Sequence, residues 1–426
     1  MRSDSSSAVP TSYARYTGYL VYFVIAALPL SFALAHILME LANYQTYRVR
    51  REFTGYSQVV LIALLLWGCL KNRQVFDWRI LGLMAVPILV LAGHFLTGTD
   101  DDIGRALWRW VLIWLFALVF YGAVRSGTIA VAAKGVVYAF VTGSLLYTVF
   151  ALVHHFGLGH LEDLNSQNLL GFGNVRASTR LFVPAIMCAI VPAALPSLPI
   201  RRRVMFLAAA LIISLLSGYT GSRSTILALM SISVMAFLLS RGFGYWRIAV
   251  TTTAVVGFGL VAARFLPSVE YFGLDITRNH DSGRMEIWSA VFEYVLQSPF
   301  FGWGGIGFPD PVPGGPSNAH NIVLQIFYEV GLVGLVSMAI LAALFLLRVL
   351  RIVQDKAASP YVTATALAAC AIMADALVSP ALWFQYSAFL FVVLAVMMLT
   401  AKQEPRPVGN AVPRGAEGPA DSEAAG

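Results

Sequence analysis

The sequence predicts an all-α polytopic membrane protein of about twelve transmembrane helices, and three observations carry that prediction. Of 426 residues, 58% are hydrophobic and 12% charged, against about 45–50% apolar and about 25% charged in soluble domains. Apolar runs long enough to cross a hydrocarbon core about 30 Å thick recur along the chain. Lysine and most arginine fall in alternate loops between those runs, the pattern of cytoplasmic loops.

In chain order the runs are 17–38, 56–70, 78–97, 107–123, 131–154, 179–197, 203–219, 223–240, 246–266, 321–347, 361–378 and 384–400. The first is too long for a signal-peptide core and lacks a small-residue cleavage site, so it reads as a retained span. Cys69, Cys188 and Cys370 lie within spans, and no structural disulfide is expected. No sequence repeat is found. The tail 401–426 is rich in Pro, Gly, Ala and Glu, has almost nothing to bury, and is expected to be disordered.

Placing the N-terminus inside puts Lys71, Arg73 and Arg79, Arg125 and Lys134, Arg201 to Arg203, Arg241 and Arg247, and Arg348, Arg351 and Lys356 in the cytoplasm. Residues 1–16 are then a cytoplasmic N-terminus and 17–266 hold the first nine of about twelve spans. The longest loop, 267–320, lies on the outer face. Residues 321–400 hold the last three spans and return the chain to a cytoplasmic tail. The outer side keeps Arg48, Arg50, Arg51, Arg105, Arg109, Arg176, Arg180, Arg223, Arg264, Arg278 and Arg284, while every lysine lies inside. These arginines either hold lipid headgroups and pair with Asp100 to Asp102, Glu162 and Asp163, or handle an anionic substrate. Taken as a set they favour the substrate, because a guanidinium fork binds phosphate bidentately and stays charged. Arg48, Arg51, Arg105, Arg109, Arg176 and Arg180 are therefore candidate substrate-binding residues.

Within the outer loop, "DSGRMEIWSAVFEYVLQSPFFGWG" predicts a helix starting after Asp281 or Ser282. Met285, Trp288, Val291, Phe292 and Val295 share one face, as in an amphipathic helix lying on the membrane or on the tops of the spans. Arg284 sits in its first turn, where free amides and the helix dipole favour an anion. The following "GWGGIGFPDPVPGGPSNAHN" matches no nucleotide-binding fingerprint and reads as a hinge of turns. In "SGYTGSRSTILAL", Gly218 and Gly221 break one span and Arg223 opens the next, facing a polar cavity or snorkelling to the interface. "HHFGLGHLED" gathers His154, His155 and His160 near Glu162 and Asp163, but without the helical ligand pair of a zinc protease. Asp100 and Asp102 either hold a divalent ion or form a solvated acidic loop opposite Arg105; the loop is favoured and no metal is expected. Glu329 and Asp375 are costly inside spans and should face the bundle interior, either as partners of buried arginines or as part of a polar path. His320 and Asn321 mark the threshold between the hinge and the apolar run 321–347.

Together "GSRSTILAL", "GRMEIWSAVFEYVLQSPFFGWG" and "AHNIVLQIFYEVGLVG", in this order among the spans, resemble the O-antigen ligase and polymerase superfamily of bacterial envelopes. The resemblance covers roughly 205–350 and is strongest over 282–335. It implies a GT-C-like, multi-pass and cofactor-free glycosyltransferase of the Gram-negative inner membrane, independent of metal and nucleotide sugar, inverting, and active at the periplasmic face. In a ligase the donor is a polysaccharide on undecaprenyl pyrophosphate and the acceptor a sugar of lipid A-core, in lipopolysaccharide biosynthesis. The family's site residues carry over to Arg223, Arg284 and His320. Arginines would stabilise the departing diphosphate, and a neutral histidine would take the acceptor proton or bind substrate, with Asn321 orienting it or a sugar. A polymerase joining lipid-linked repeat units shares this chemistry and differs in acceptor. A transporter of lipid-linked sugars is the alternative outside enzymes. Membrane lipids are expected partners and nucleic acid is not.

Overall fold

The computed structural model describes residues 12–42, 46–71, 103–158, 169–170, 178–240, 243–267, 284–303 and 319–401, with the backbone alone at 35–42, 46–55, 71, 103–110, 243 and 383. The expected span 78–97, Asp100 to Asp102, His160, Glu162, Asp163, Arg176, Arg278, Asp281, Ser282, the hinge 304–318 and the tail 402–426 lie outside the described residues. Arg48, Arg51, Arg105 and Arg109 lie on described helices, with the backbone alone.

Twelve α-helices form the described protein: α1 (Ser12–Ala42), α2 (Thr46–Lys71), α3 (Ile103–Arg125), α4 (Ala133–Leu152), α5 (Thr179–Ala194), α6 (Ile200–Tyr219), α7 (Arg223–Leu239), α8 (Trp246–Ala262), α9 (Arg284–Gln297), α10 (Ile322–Gln354), α11 (Pro360–Ala376) and α12 (Gln385–Thr400). Apart from 78–97, each expected apolar run falls on a helix. Four segments, Ser12–Leu34, Ala133–Gly157, Trp246–Phe265 and Ile322–Gln354, are long and apolar enough to cross a membrane, and six further apolar helices are shorter. Apolar side chains such as Leu227, Leu238, Val250, Val261, Ile340 and Leu344 are exposed around the bundle, the surface a membrane protein turns to lipid.

At the centre stands α5, in which every residue is buried. Helices α4, α6, α7, α8 and α11 surround it. A helix apolar all round suits such a place. Its main partner, α11, carries the alanine-rich run Ala364 to Ala371, whose small side chains let two backbones approach closely. Several hydroxyls within the spans turn back on their own helices, as Thr148 Oγ1 does on the Ser144 carbonyl at 2.8 Å and Thr400 Oγ1 on Val396 at 2.7 Å, which satisfies those donors inside the helix. Because the helices alternate in direction, the start of α5 shares one end of the bundle, the upper end, with the start of α7, the ends of α6 and α11, and the starts of α10 and α12. Tyr219 at the end of α6 donates to the Pro267 carbonyl at 3.1 Å, just past α8. At the lower end, Arg348 donates to the Ala401 carbonyl at 3.1 Å.

The run 321–347, expected as one continuous span, is broken. Gly331 has φ 67° and ψ −168° inside α10, a region open essentially to glycine alone. The break frees the groups that i to i−4 bonding would have paired, and the backbone after α9 takes them up. Trp303 N–H donates to the Tyr328 carbonyl at 2.7 Å, Leu332 N–H to Pro299 at 2.8 Å, and Val333 N–H to Phe300 at 3.3 Å. A Cβ on residue 331 would collide with the Phe300 backbone. The short piece 322–330 and α9 therefore form a unit with its own core of Val291, Val295, Ala319 and Tyr328. Gly331→Ala is expected to destabilise the protein by on the order of 1–3 kcal/mol from the backbone conformation alone, with the collision added. A lower melting temperature of the purified protein checks this.

The amphipathic reading of α9 needs one correction. Val291 and Val295 are buried and Trp288 is half-buried as expected, but Met285 and Phe292 are exposed. Ile287 and Tyr294 take the inner positions instead. The face is set by the contact with 319–328, which is narrower than the apolar arc of the helix, and Met285, Phe292 and Leu296 are left outside it.

Candidate active site at the upper end

Arg180 lies in the first turn of α5 and is 8% exposed. Its guanidinium stacks over the Phe384 ring, 3.7 Å from the centroid, which fixes the plane of the fork. Among the described residues its Nε and Nη1 have no hydrogen-bond partner. Asp375, near the end of α11, is fully buried. It feels the positive charge of both Arg180 and Arg284, and the Ser224 and Ser379 hydroxyls face it without closing a well-formed hydrogen bond. Buried polar groups are nearly always satisfied, so two buried ionic side chains left open in one place mark a site.

Arg284 opens α9, half-buried. His320, half-buried just before α10, completes the group. Burial, followed by the charges of Arg284 and then Arg180, lowers its pKa from the ordinary 6.5 to about 4. The imidazole is thus held neutral at ordinary pH, as a group that must accept a proton requires. Asn321 has a structural task beside it: its Oδ1 accepts from the backbone N–H groups of Val323 at 2.9 Å and Leu324 at 3.2 Å, an N-cap for α10.

Three residues picked from the sequence, Arg180, Arg284 and His320, are therefore brought together. Arg223 is exposed at the start of α7, one residue before the Ser224 that faces Asp375. Phe384 is not among the residues the sequence points to, because an aromatic at the mouth of the last span, in "LWFQY", is its only signal. Of the histidines read against a metal, His154 and His155 are buried in a π-helical turn, 153–157, with ring centroids 4.9 Å apart.

Apolar helices around a buried core, with arginine, carboxylate and a neutral imidazole gathered at one end, define a membrane protein with a charged site at the mouth of its bundle. Residues 206–339, about a third of the chain, match the family model described as O-Antigen ligase. Members of that family are membrane glycosyltransferase-like enzymes. The matched stretch holds Arg223, Arg284 and His320, whereas Arg180, Asp375 and Phe384 join from outside it. No curated protein matches the chain.

Proposed function

We propose that the protein is an O-antigen ligase that moves a polysaccharide from undecaprenyl pyrophosphate to a sugar hydroxyl of lipid A-core. The reaction takes place at the periplasmic face of the inner membrane, where the upper end and the loop 267–320 lie, with both termini in the cytoplasm. The observation that supports this most is the grouping of Arg180 and Arg284 with an imidazole whose pKa is lowered to about 4. In a single displacement the acceptor oxygen attacks the anomeric carbon and its proton passes to His320. The bond from that carbon to the diphosphate oxygen breaks, and the diphosphate leaves with the electron pair. Negative charge grows on it in the transition state, where fixed guanidinium groups in a dry site stabilise it more than they stabilise the donor. Arg180 and Arg284 have that role, with Arg223 meeting the diphosphate from the start of α7. Arg48, Arg51, Arg105, Arg109 and Arg176 are the further candidates for binding the anionic donor.

Purified protein in lipid nanodiscs, given undecaprenyl-pyrophosphate glycan and lipid A-core, tests the reading. Glycan attached to lipid A-core is the expected product. Longer lipid-linked glycan with lipid A-core untouched would make it a polymerase. In proteoliposomes, donor crossing the bilayer with no new linkage would make it a transporter.

A further inference from the structure

His320 is the one described residue other than glycine with a positive φ, 50°. A non-glycine residue persists there only where its surroundings over-determine it. What holds it is the backbone of the residue just before, bonded on both sides. The Ala319 N–H, fully buried, donates to Gln325 Oε1 at 2.8 Å, and the Ala319 carbonyl accepts from Trp288 Nε1 at 2.9 Å. An N–H can only donate, so Gln325 must present its oxygen, and its own amide nitrogen then needs an acceptor. Glu329 supplies it one turn further along, with Gln325 Nε2 to Glu329 Oε1 at 2.6 Å. Gln325 and Glu329 are each 2% exposed. This accounts for a carboxylate in an apolar run, where its insertion is costly and the transfer chemistry makes no use of it.

We propose that Glu329, Gln325 and Trp288 are positioning residues, a clamp on the Ala319 N–H and carbonyl that sets the backbone of His320 and so aims its imidazole. The inference rests on His320 acting as the base. Trp288 and Arg284 are four residues apart on α9, hence on one face. The Trp288 bond therefore also fixes the helix that carries the arginine against the loop that carries the histidine. Sequence alone offered two roles for Glu329, partner of an arginine or link in a polar path. The clamp is a third.

The test compares Trp288→Phe, Gln325→Met, Glu329→Leu and Glu329→Gln in the nanodisc transfer assay. The first three are expected to lose about 10- to 100-fold in kcat, the scale of a misplaced reacting group, with KM for the donor within about threefold because the arginines remain. Glu329→Gln keeps an acceptor oxygen for Gln325 and is expected to recover most of what Glu329→Leu loses. A purely structural role would lower the yield of folded protein and leave kcat per folded molecule intact, and that result overturns the proposal. Trp288→Phe leaves the interior of α10 unaltered and decides the matter if the buried variants do not fold. Inactive His320→Ala beside fully active Trp288→Phe sinks the clamp and keeps the base, whereas active His320→Ala sinks the base itself. Amide exchange in the peptide containing residue 319 gives a reading without substrate. It should quicken at least about tenfold in Gln325→Met, which removes the acceptor of the Ala319 N–H, since opening of that bond controls exchange, and unchanged exchange in that variant overturns the clamp even if the wild type makes no product.

Discussion

His320→Gln is expected to lower kcat for glycan transfer by about 10²- to 10⁴-fold, the usual contribution of a positioned general base. Glutamine keeps hydrogen bonding and roughly the length of the side chain but cannot take the acceptor proton. The pH profile sharpens the expectation. The base works when neutral, and burial with Arg284 and Arg180 lowers the His320 pKa to about 4. In the free enzyme the neutral form therefore persists down to about pH 4, and kcat/KM, which reports the free enzyme, should stay flat from neutrality to near that value. An unperturbed histidine would lose activity from about pH 6.5 downward. The charged groups acting here are Arg284 from α9 and Arg180 from α5, the same two that face Asp375 on α11. A bound diphosphate adds further negative charge and removes part of the depression. The acid limb of kcat, which reports the complex, is expected to lie above that of kcat/KM. The same shift resolves an apparent conflict, because a group of pKa 4 is a weak base and the donor strengthens it when it is needed. A kcat/KM profile with its midpoint near 6.5, or near-full activity of His320→Gln, rules the proposal out.

How far the site was legible before the structure differs from residue to residue. The apolar runs were readable because a hydrocarbon core asks for one property over about 20 residues, and α11 and α12 fall where that property placed them. Arg284 and His320 were readable through local signals, a helix start and a hinge ending at an apolar run. Arg180 was one of eleven outer arginines, and nothing in its neighbourhood, "ASTRLFV", distinguishes it. It is singled out by the burial of all of α5, which depends on helices far away in sequence. The break at Gly331 was hidden for a related reason. A glycine within an apolar run is compatible with a straight helix, and only the backbone of 299–303, supplied from across the loop, makes the broken form stable. Glu329 and Asp375 were correctly expected to face inward, but their partners differ: Glu329 faces Gln325 on its own helix, while Asp375 faces arginines on two others.

The second large effect concerns Arg180. Arg180→Met is expected to lower kcat by about 10²- to 10³-fold, the scale of losing one donor aimed at developing charge. Arg180→Lys should recover little of it. An ammonium cannot stack as a plane over Phe384 and offers no fork to a diphosphate. The stability of the same variants separates a functional charge from a structural one. Arg180 keeps two buried N–H groups without hydrogen bonds, and Asp375 two buried oxygens. Replacing such a pair by apolar residues of similar size is often neutral or stabilising, whereas removing one member strands the other. Arg180→Met/Asp375→Leu is therefore expected to melt at or above the wild type, Arg180→Met alone below the double variant, and both to be deficient in transfer. Thermal melting in detergent, set beside the nanodisc assay, reads both quantities. A double variant that melts well below the wild type would show that these charges hold the bundle together, and one that transfers glycan normally would remove Arg180 from the path of the diphosphate. The expected combination, a more stable protein with little activity, is that of a site whose buried charges are kept for a ligand at the expense of the fold.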